Sequence, residues 1–348
     1  MRDDTLLKKI VDDIVSMKIH HRQFDSAVRH IELSLLVAFP GEVLTLVGPP
    51  RAGKTRAIFG ATKASYPSMG NASSPVVYVE AENSSREGEF SSKAFMISCV
   101  DAIKHPLFGS KLADNEWLAD RLYEGTESKL RDAFEAALVG CSKEIFVVDE
   151  AQHFEYIRGG IPAAVRMFES LKCLANKTQV KMVVAGSYKL LEIVCHSPHF
   201  LGRQHLIEFP RYRVETEGDI VEWMRILMAF SDVMAPYVTH AAMQSWARML
   251  FEGSFGCIGQ LSRWLRDAMA LAALNDRQAI VKEDLIATRM PEAMAHSILG
   301  EIEWGERTMV EVRAEQKFAM ARDKRTQRSS KPFQRNARRS PRGGRSLP

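Results

Sequence analysis

The sequence predicts an α/β fold: a mostly parallel sheet covered by helices on both faces, a small all-helical domain after it, and a disordered basic C-terminal tail. Three observations carry this reading. From Val43 to about Val214, short apolar runs alternate with stretches of helical periodicity, the pattern of a parallel sheet whose crossovers cover both faces. Beyond Val214 no convincing strand remains, and four helical segments follow. Arg322–Pro348 is rich in Arg, Ser, Pro and Gly, and it lacks the apolar side chains needed to offset chain entropy.

Taken in order, Asp4–Met17 has Leu6, Ile10, Ile14 and Met17 on one stripe and reads as an amphipathic helix. A second helix spans about Asp25–Phe39, and Pro40–Gly41 breaks it. Val43–Val47 is a short apolar strand, Gly48–Gly53 a turn, and Thr55–Ala64 a helix. Val76–Glu80 is a second strand, followed by helices over Phe90–His105 and Thr126–Leu138. Ile145–Val148 is a third strand, closed by Asp149–Glu150. Pro162–Ala175 is helical, Val180–Ala185 is a fourth strand, and Leu206–Phe209 supplies a fifth. The helices after the sheet are Asp219–Phe230, Thr239–Phe251, Gly259–Leu274 and Lys282–Thr288. A charged helix over roughly Glu301–Ala321 leads into the tail. The expected divisions are an N-terminal helical segment (1–42), the sheet domain (43–214), the helical domain (215–300), and the charged helix with its tail (301–348).

The 348 residues are 46% hydrophobic and 26% charged, with a net charge of +4. These values exclude neither an enzyme nor a binding module, but the charge is unevenly placed. Arg322–Pro348 holds ten Lys or Arg against Asp323 alone, a charge of +9, and leaves 37 basic and 42 acidic residues elsewhere. The body is mildly acidic and the tail is a basic arm. Cys99, Cys141, Cys173, Cys195 and Cys257 form no C-x-x-C pair and read as reduced thiols in a cytoplasmic protein. No apolar run reaches the length of a membrane span, so no membrane association is expected. The alternating charges of Met1–Val15 do not form a signal peptide.

Gly48-Pro-Pro-Arg-Ala-Gly-Lys-Thr55 matches G-x-x-x-x-G-K-[ST] between a strand and a helix. Glycines let the loop curl so that successive N–H groups face phosphate oxygens, and the helix that follows opens with unpaired N–H groups and partial positive charge. The candidate cradle comprises Gly48, Pro49, Pro50, Arg51, Ala52, Gly53, Lys54, Thr55 and Arg56. Lys54 would reach the β- and γ-phosphates of ATP, and Thr55 would ligate Mg²⁺. In Ile145-Phe-Val-Val-Asp-Glu150 a buried strand delivers two carboxylates to the sheet's carboxyl edge, where ligands bind in open α/β sheets. Asp149 would hold Mg²⁺, and Glu150, pointing the other way, would polarise the attacking water.

A full strand between the two motifs, with Glu directly after Asp, resembles the additional-strand class of P-loop ATPases. The helical domain after the sheet narrows that resemblance to AAA+ proteins, a three-layer αβα domain with a helical lid. The resemblance implies a first sensor after the fourth strand, where Ser187 is the candidate. It also implies an arginine donated by a neighbouring subunit; Leu201-Gly-Arg203-Gln-His-Leu-Ile-Glu-Phe-Pro210 resembles the stretch that carries it. Arg203 is the candidate there, with Arg211 and Arg213 as competitors. In many relatives a second-sensor arginine stands about three residues after the first glycine of the third lid helix. This sequence has Gly259 at that position, and Arg263 lies one turn on as the substitute.

His21-Arg-Gln-Phe24, the Asp149-Glu-Ala-Gln-His153 string, Val184-Ala-Gly-Ser187 and Gly256-Cys-Ile-Gly-Gln-Leu-Ser-Arg-Trp-Leu265 resemble the TniB/TnsC family of transposition regulator ATPases over about residues 20–290. That resemblance implies ATP-dependent homo-oligomeric rings or filaments on double-stranded DNA, linking a target-selector protein to transposase subunits. It further implies that Gln152 and His153 report nucleotide state, and that the tail recruits transposase; a locally bonded helix-start residue is the other reading of His153. Lys93, Lys104, Lys111 and Arg121 are candidates for backbone-directed DNA contact. The alternatives are an AAA+ signalling or secretion-linked ATPase with no DNA role, and a nucleotide-dependent scaffold with negligible hydrolysis.

Overall fold

The structure is a computed structural model that describes residues 4–16, 21–65, 74–83, 88–103, 125–196 and 204–329. Two helices, α1 (Asp4–Ser16) and α2 (Arg22–Val37), precede β1 (Val43–Val47) and α3 (Lys54–Ser65). There follow β2 (Val76–Glu80), α4 (Ser92–Ala102), α5 (Glu127–Gly140) and β3 (Ile145–Asp149). A 3₁₀ turn (Ala151–Tyr156) then leads to α6 (Gly160–Thr178), β4 (Lys181–Gly186), α7 (Leu190–Cys195) and β5 (Gln204–Glu208). Only helices remain: α8 (Glu217–Val233), α9 (His240–Ser245), α10 (Ala247–Ser254), α11 (Ile258–Leu274), α12 (Lys282–Ala287) and α13 (Glu292–Ser329).

The five strands are all parallel, in the order β2-β3-β4-β1-β5. The strand lying between β1 and β3 is therefore β4. The strand that separates the two motifs in sequence, β2, sits at the sheet edge. Both motif-bearing strands end at the same edge, because β4 pairs with β1 up to Val47↔Gly186 and with β3 up to Val148↔Val184.

Side chains alternate across the sheet, as a strand requires. Leu44, Leu46, Ile145, Val147, Val183, Ala185 and Ile207 pack with Ala27, Ile31 and Leu35 of α2 and Ala57, Ile58 and Ala61 of α3. On the opposite face Phe146 meets Phe134 of α5 edge to face at 5.2 Å. Sheet and helices on both faces make a three-layer αβα arrangement.

A second core is wholly helical. Trp223, Leu227 and Phe230 of α8 pack with Leu261, Leu265 and Met269 of α11 and with Leu285 of α12. Ile10 and Ile14 of α1, two residues of the stripe read from the sequence, belong to this core; Leu6 and Met17 lie outside the described side chains.

Several boundaries differ from expectation for local reasons. Helix α2 begins three residues early because the His21 ring accepts the N–H of Phe24 and caps it. The helix expected over Thr239–Phe251 is two, α9 and α10, with Trp246 at ψ −1° between them. The 3₁₀ turn and α7 were not foreseen, being too short to show a period. Helix α13 runs from Glu292 to Ser329, so residues 322–329, expected to be disordered, are helical; 330–348 lie outside the described residues. By internal contacts the chain divides into two compact units, residues 1–306 and 307–348. None of the described helices is long and apolar enough to cross a membrane.

Candidate nucleotide site

Between β1 and α3 the backbone turns sharply. Arg51 has φ +57° and Gly53 φ +116°, and a Cβ on Gly48 would overlap the Phe209 carbonyl oxygen. The glycine at 48 is thus needed for the close approach of Phe209, just after β5. The Lys54 ammonium is buried beneath the loop and donates to the carbonyls of Gly48 (3.0 Å) and Pro49 (2.8 Å). Burial lowers its pKa, and the carboxylates of Glu150 and Asp149 oppose that shift, which places both within electrostatic reach.

Thr55 Oγ1 donates to Asp149 Oδ2 at 2.6 Å, so the two candidate metal ligands touch. A hydroxyl and a carboxylate oxygen in contact at the end of a parallel strand fit a hard dication such as Mg²⁺, which takes few protein ligands and keeps several waters. The same Oδ2 accepts a second hydrogen bond from Tyr78 on β2, at 2.7 Å. Burial and the hydrogen bond to Asp149 raise the Tyr78 pKa, so the phenol stays a donor. Sequence reasoning missed Tyr78. The signal was a hydroxyl-bearing residue inside the apolar run Val76–Glu80.

Glu150 sits in the left-handed region at φ +53°, a conformation that costs a non-glycine residue about 1–2 kcal/mol. The turn lets its N–H donate to Asp149 Oδ1 at 2.8 Å and separates the two carboxylates. Gln152 Nε2 donates to Glu150 Oε2 at 2.6 Å, and Gln152 Oε1 accepts the backbone N–H of Ser187 at 2.9 Å. Ser187 is buried after β4, and its Oγ accepts the N–H of Lys189 at 3.3 Å. The His153 ring is hydrogen-bonded to the Ala81 carbonyl at 2.6 Å, a link to the end of β2.

The helices after the sheet reach the loop through glycine. Gly259 N–H donates to the Arg51 carbonyl at 3.0 Å, and a Cβ at Gly259 would overlap that oxygen. The position where many relatives carry an arginine therefore has room only for glycine here. Arg263, the substitute, faces Asp267 across one turn at 3.6 Å and is half exposed. Arg56 is exposed on α3. Of the arginines considered for action across a subunit boundary, Arg211 and Arg213 both pair with Glu306, at 2.9 and 3.1 Å. Gly305 lies against the buried Tyr188 ring, and Tyr188 donates to Glu208 at 2.7 Å. Arg203 lies outside the described residues, as do Lys104, Lys111 and Arg121; Lys93 lies on α4.

Residues 39–194 match the family described as "AAA domain". No curated protein matches the chain in sequence. Among solved structures, Cdc6p of Pyrobaculum aerophilum is 14% identical with a TM-score of 0.53, over 82% of this chain and 70% of that one. The ORC1 protein of Aeropyrum pernix, solved in complex with DNA, is 16% identical with a TM-score of 0.51, over 80% and 67%. The Walker-type ATPase PABY2304 of Pyrococcus abyssi is 14% identical with a TM-score of 0.46, over 84% and 76%. Such identities concern the fold alone. The chain has a P-loop AAA+ fold, and its residues 39–194 resemble the AAA domain.

Proposed function

We propose that the chain is an ATP-dependent, DNA-binding, oligomeric regulator of transposition that links a target-selector protein to transposase subunits. The observation that carries the enzymatic half is the convergence of Lys54, Thr55, Asp149 and Glu150 at one sheet edge, with Thr55 and Asp149 in hydrogen-bond contact. The loop N–H groups and Lys54 would hold phosphate oxygens, and Thr55 with Asp149 would hold Mg²⁺. Bound Mg²⁺ supplies charge neutralisation on the phosphates. Glu150 takes a proton from the attacking water, and Ser187 stands on the neighbouring loop as first sensor. The division into residues 1–42, 43–214, 215–300 and 301–348 belongs to the same reading.

The DNA and transposition half rests on the TniB/TnsC resemblance of Asp149–His153 and Gly256–Leu265. The Aeropyrum pernix protein of like fold, solved with DNA, makes a duplex partner reasonable. Arg203 is assigned the trans-acting role, since Glu306 already engages Arg211 and Arg213. ATP turnover measured with and without duplex DNA tests the proposal. DNA should stimulate turnover several-fold; a DNA-indifferent ATPase would point instead to a signalling or secretion-linked role.

A further inference from the structure

Gln152 is buried, yet it belongs neither to the phosphate loop nor to the acidic pair. Its two amide atoms face in different directions. Nε2 donates to the Glu150 carboxylate at 2.6 Å, and Oε1 accepts from the Ser187 N–H at 2.9 Å. One side chain thus joins the turn after β3 to the loop after β4. An amide is the neutral group that can donate to a carboxylate at one end and accept a backbone N–H at the other. Two backbone features accommodate the bridge. Glu150 adopts a left-handed conformation, so the chain folds back within two residues. Gly186 has no side chain, and a Cβ there would stand 2.6 Å from Gln152 Oε1 and 3.2 Å from the Gln152 nitrogen.

We infer that Gln152 is a positioning residue that ties the Glu150 carboxylate to the seat of the Ser187 loop, so that Glu150 is aimed for catalysis only when that loop is in place. The inference rests on Glu150 being the group that polarises water. A hydrogen bond from the amide fixes the direction of the carboxylate. Movement of the Ser187 loop would pull on the amide, and the amide on the carboxylate.

The test uses the full chain, with ATP turnover and the binding of a fluorescent ATP analogue measured in parallel. Gln152→Leu, of similar volume, should lower kcat about tenfold or more while analogue affinity stays within about twofold. Gly186→Ala pushes on Oε1 from the other side and should lower kcat similarly. The double variant should be no worse than the more damaging single one, because both break the same bridge. Gln152→Glu has no amide donor and sets a second carboxylate against Glu150, so kcat should fall while analogue affinity stays within about twofold, a split that general loosening of the site would not give.

Normal kcat in Gln152→Leu beside an inactive Glu150→Gln would overturn the inference and leave the role of Glu150 standing. Turnover surviving in Glu150→Gln would overturn that role itself. Losses that multiply in the double variant would also overturn the bridge. Should Gln152→Leu fail to fold, as a thermal melt would reveal, Gly186→Ala and the Gln152→Glu split between kcat and affinity decide the matter.

Discussion

At the scale of single residues, the proposed site sets a buried ammonium, Lys54, beside a carboxylate presented from a left-handed turn, Glu150. Lys54→Ala should abolish ATP binding, because no other cation is buried beneath the loop among the described residues. Glu150→Gln should keep binding and lower turnover about 100-fold or more, as expected for loss of a general base. Isothermal titration and a phosphate-release assay separate the two, and normal turnover in Glu150→Gln would sink the mechanism. The motif residues were legible from spacing, because the loop and strand that present them are local structures. Tyr78 and Gln152 could not be placed so readily. Their partners, Asp149 for one and Glu150 with Ser187 for the other, depend on how β2, β3 and β4 lie side by side.

At the scale of elements, strands were read almost to the residue and helices less well. Val43–Val47 and Val76–Glu80 are bounded by turn-forming residues, and a buried parallel strand is a continuous apolar run. Helix ends depend on caps such as His21 and on tertiary packing, which a period does not report. The lid glycine shows the limit of analogy. Gly259 occupies the expected arginine position, but only the structure shows its N–H on the Arg51 carbonyl with no room for a Cβ. Gly259→Ala should therefore lift α11 from the phosphate loop. Overpacking of this kind costs about 1–3 kcal/mol, so ATP affinity should fall about tenfold in a protein that still melts cooperatively. Unchanged affinity would mean that this contact does not couple the lid to the nucleotide.

For the whole molecule, the strand order and the AAA-domain match of residues 39–194 account for the fold, while the proposed partners come from resemblance and charge. Removing Arg322–Pro348 takes away a +9 arm and leaves a −5 body, together with the last turns of α13. The nucleotide domain should keep its ATP affinity, and a partner interaction should weaken, more so as salt is lowered in the intact protein's favour. Normal DNA assemblies with failed transposase pull-down would assign the tail to transposase. A flattened salt dependence of duplex binding would assign it to DNA. No change in either would make it a solubilising terminus.

The central claim is that ATP at this site assembles the chain on duplex DNA. Electron microscopy of the Glu150→Gln protein with ATP, with and without a long duplex, tests it most directly, because bound ATP persists. Rings or filaments that coat the duplex with ATP, and are absent from Lys54→Ala, are the predicted result. Nucleotide-bound protein that stays dispersed and leaves the duplex bare would contradict the account.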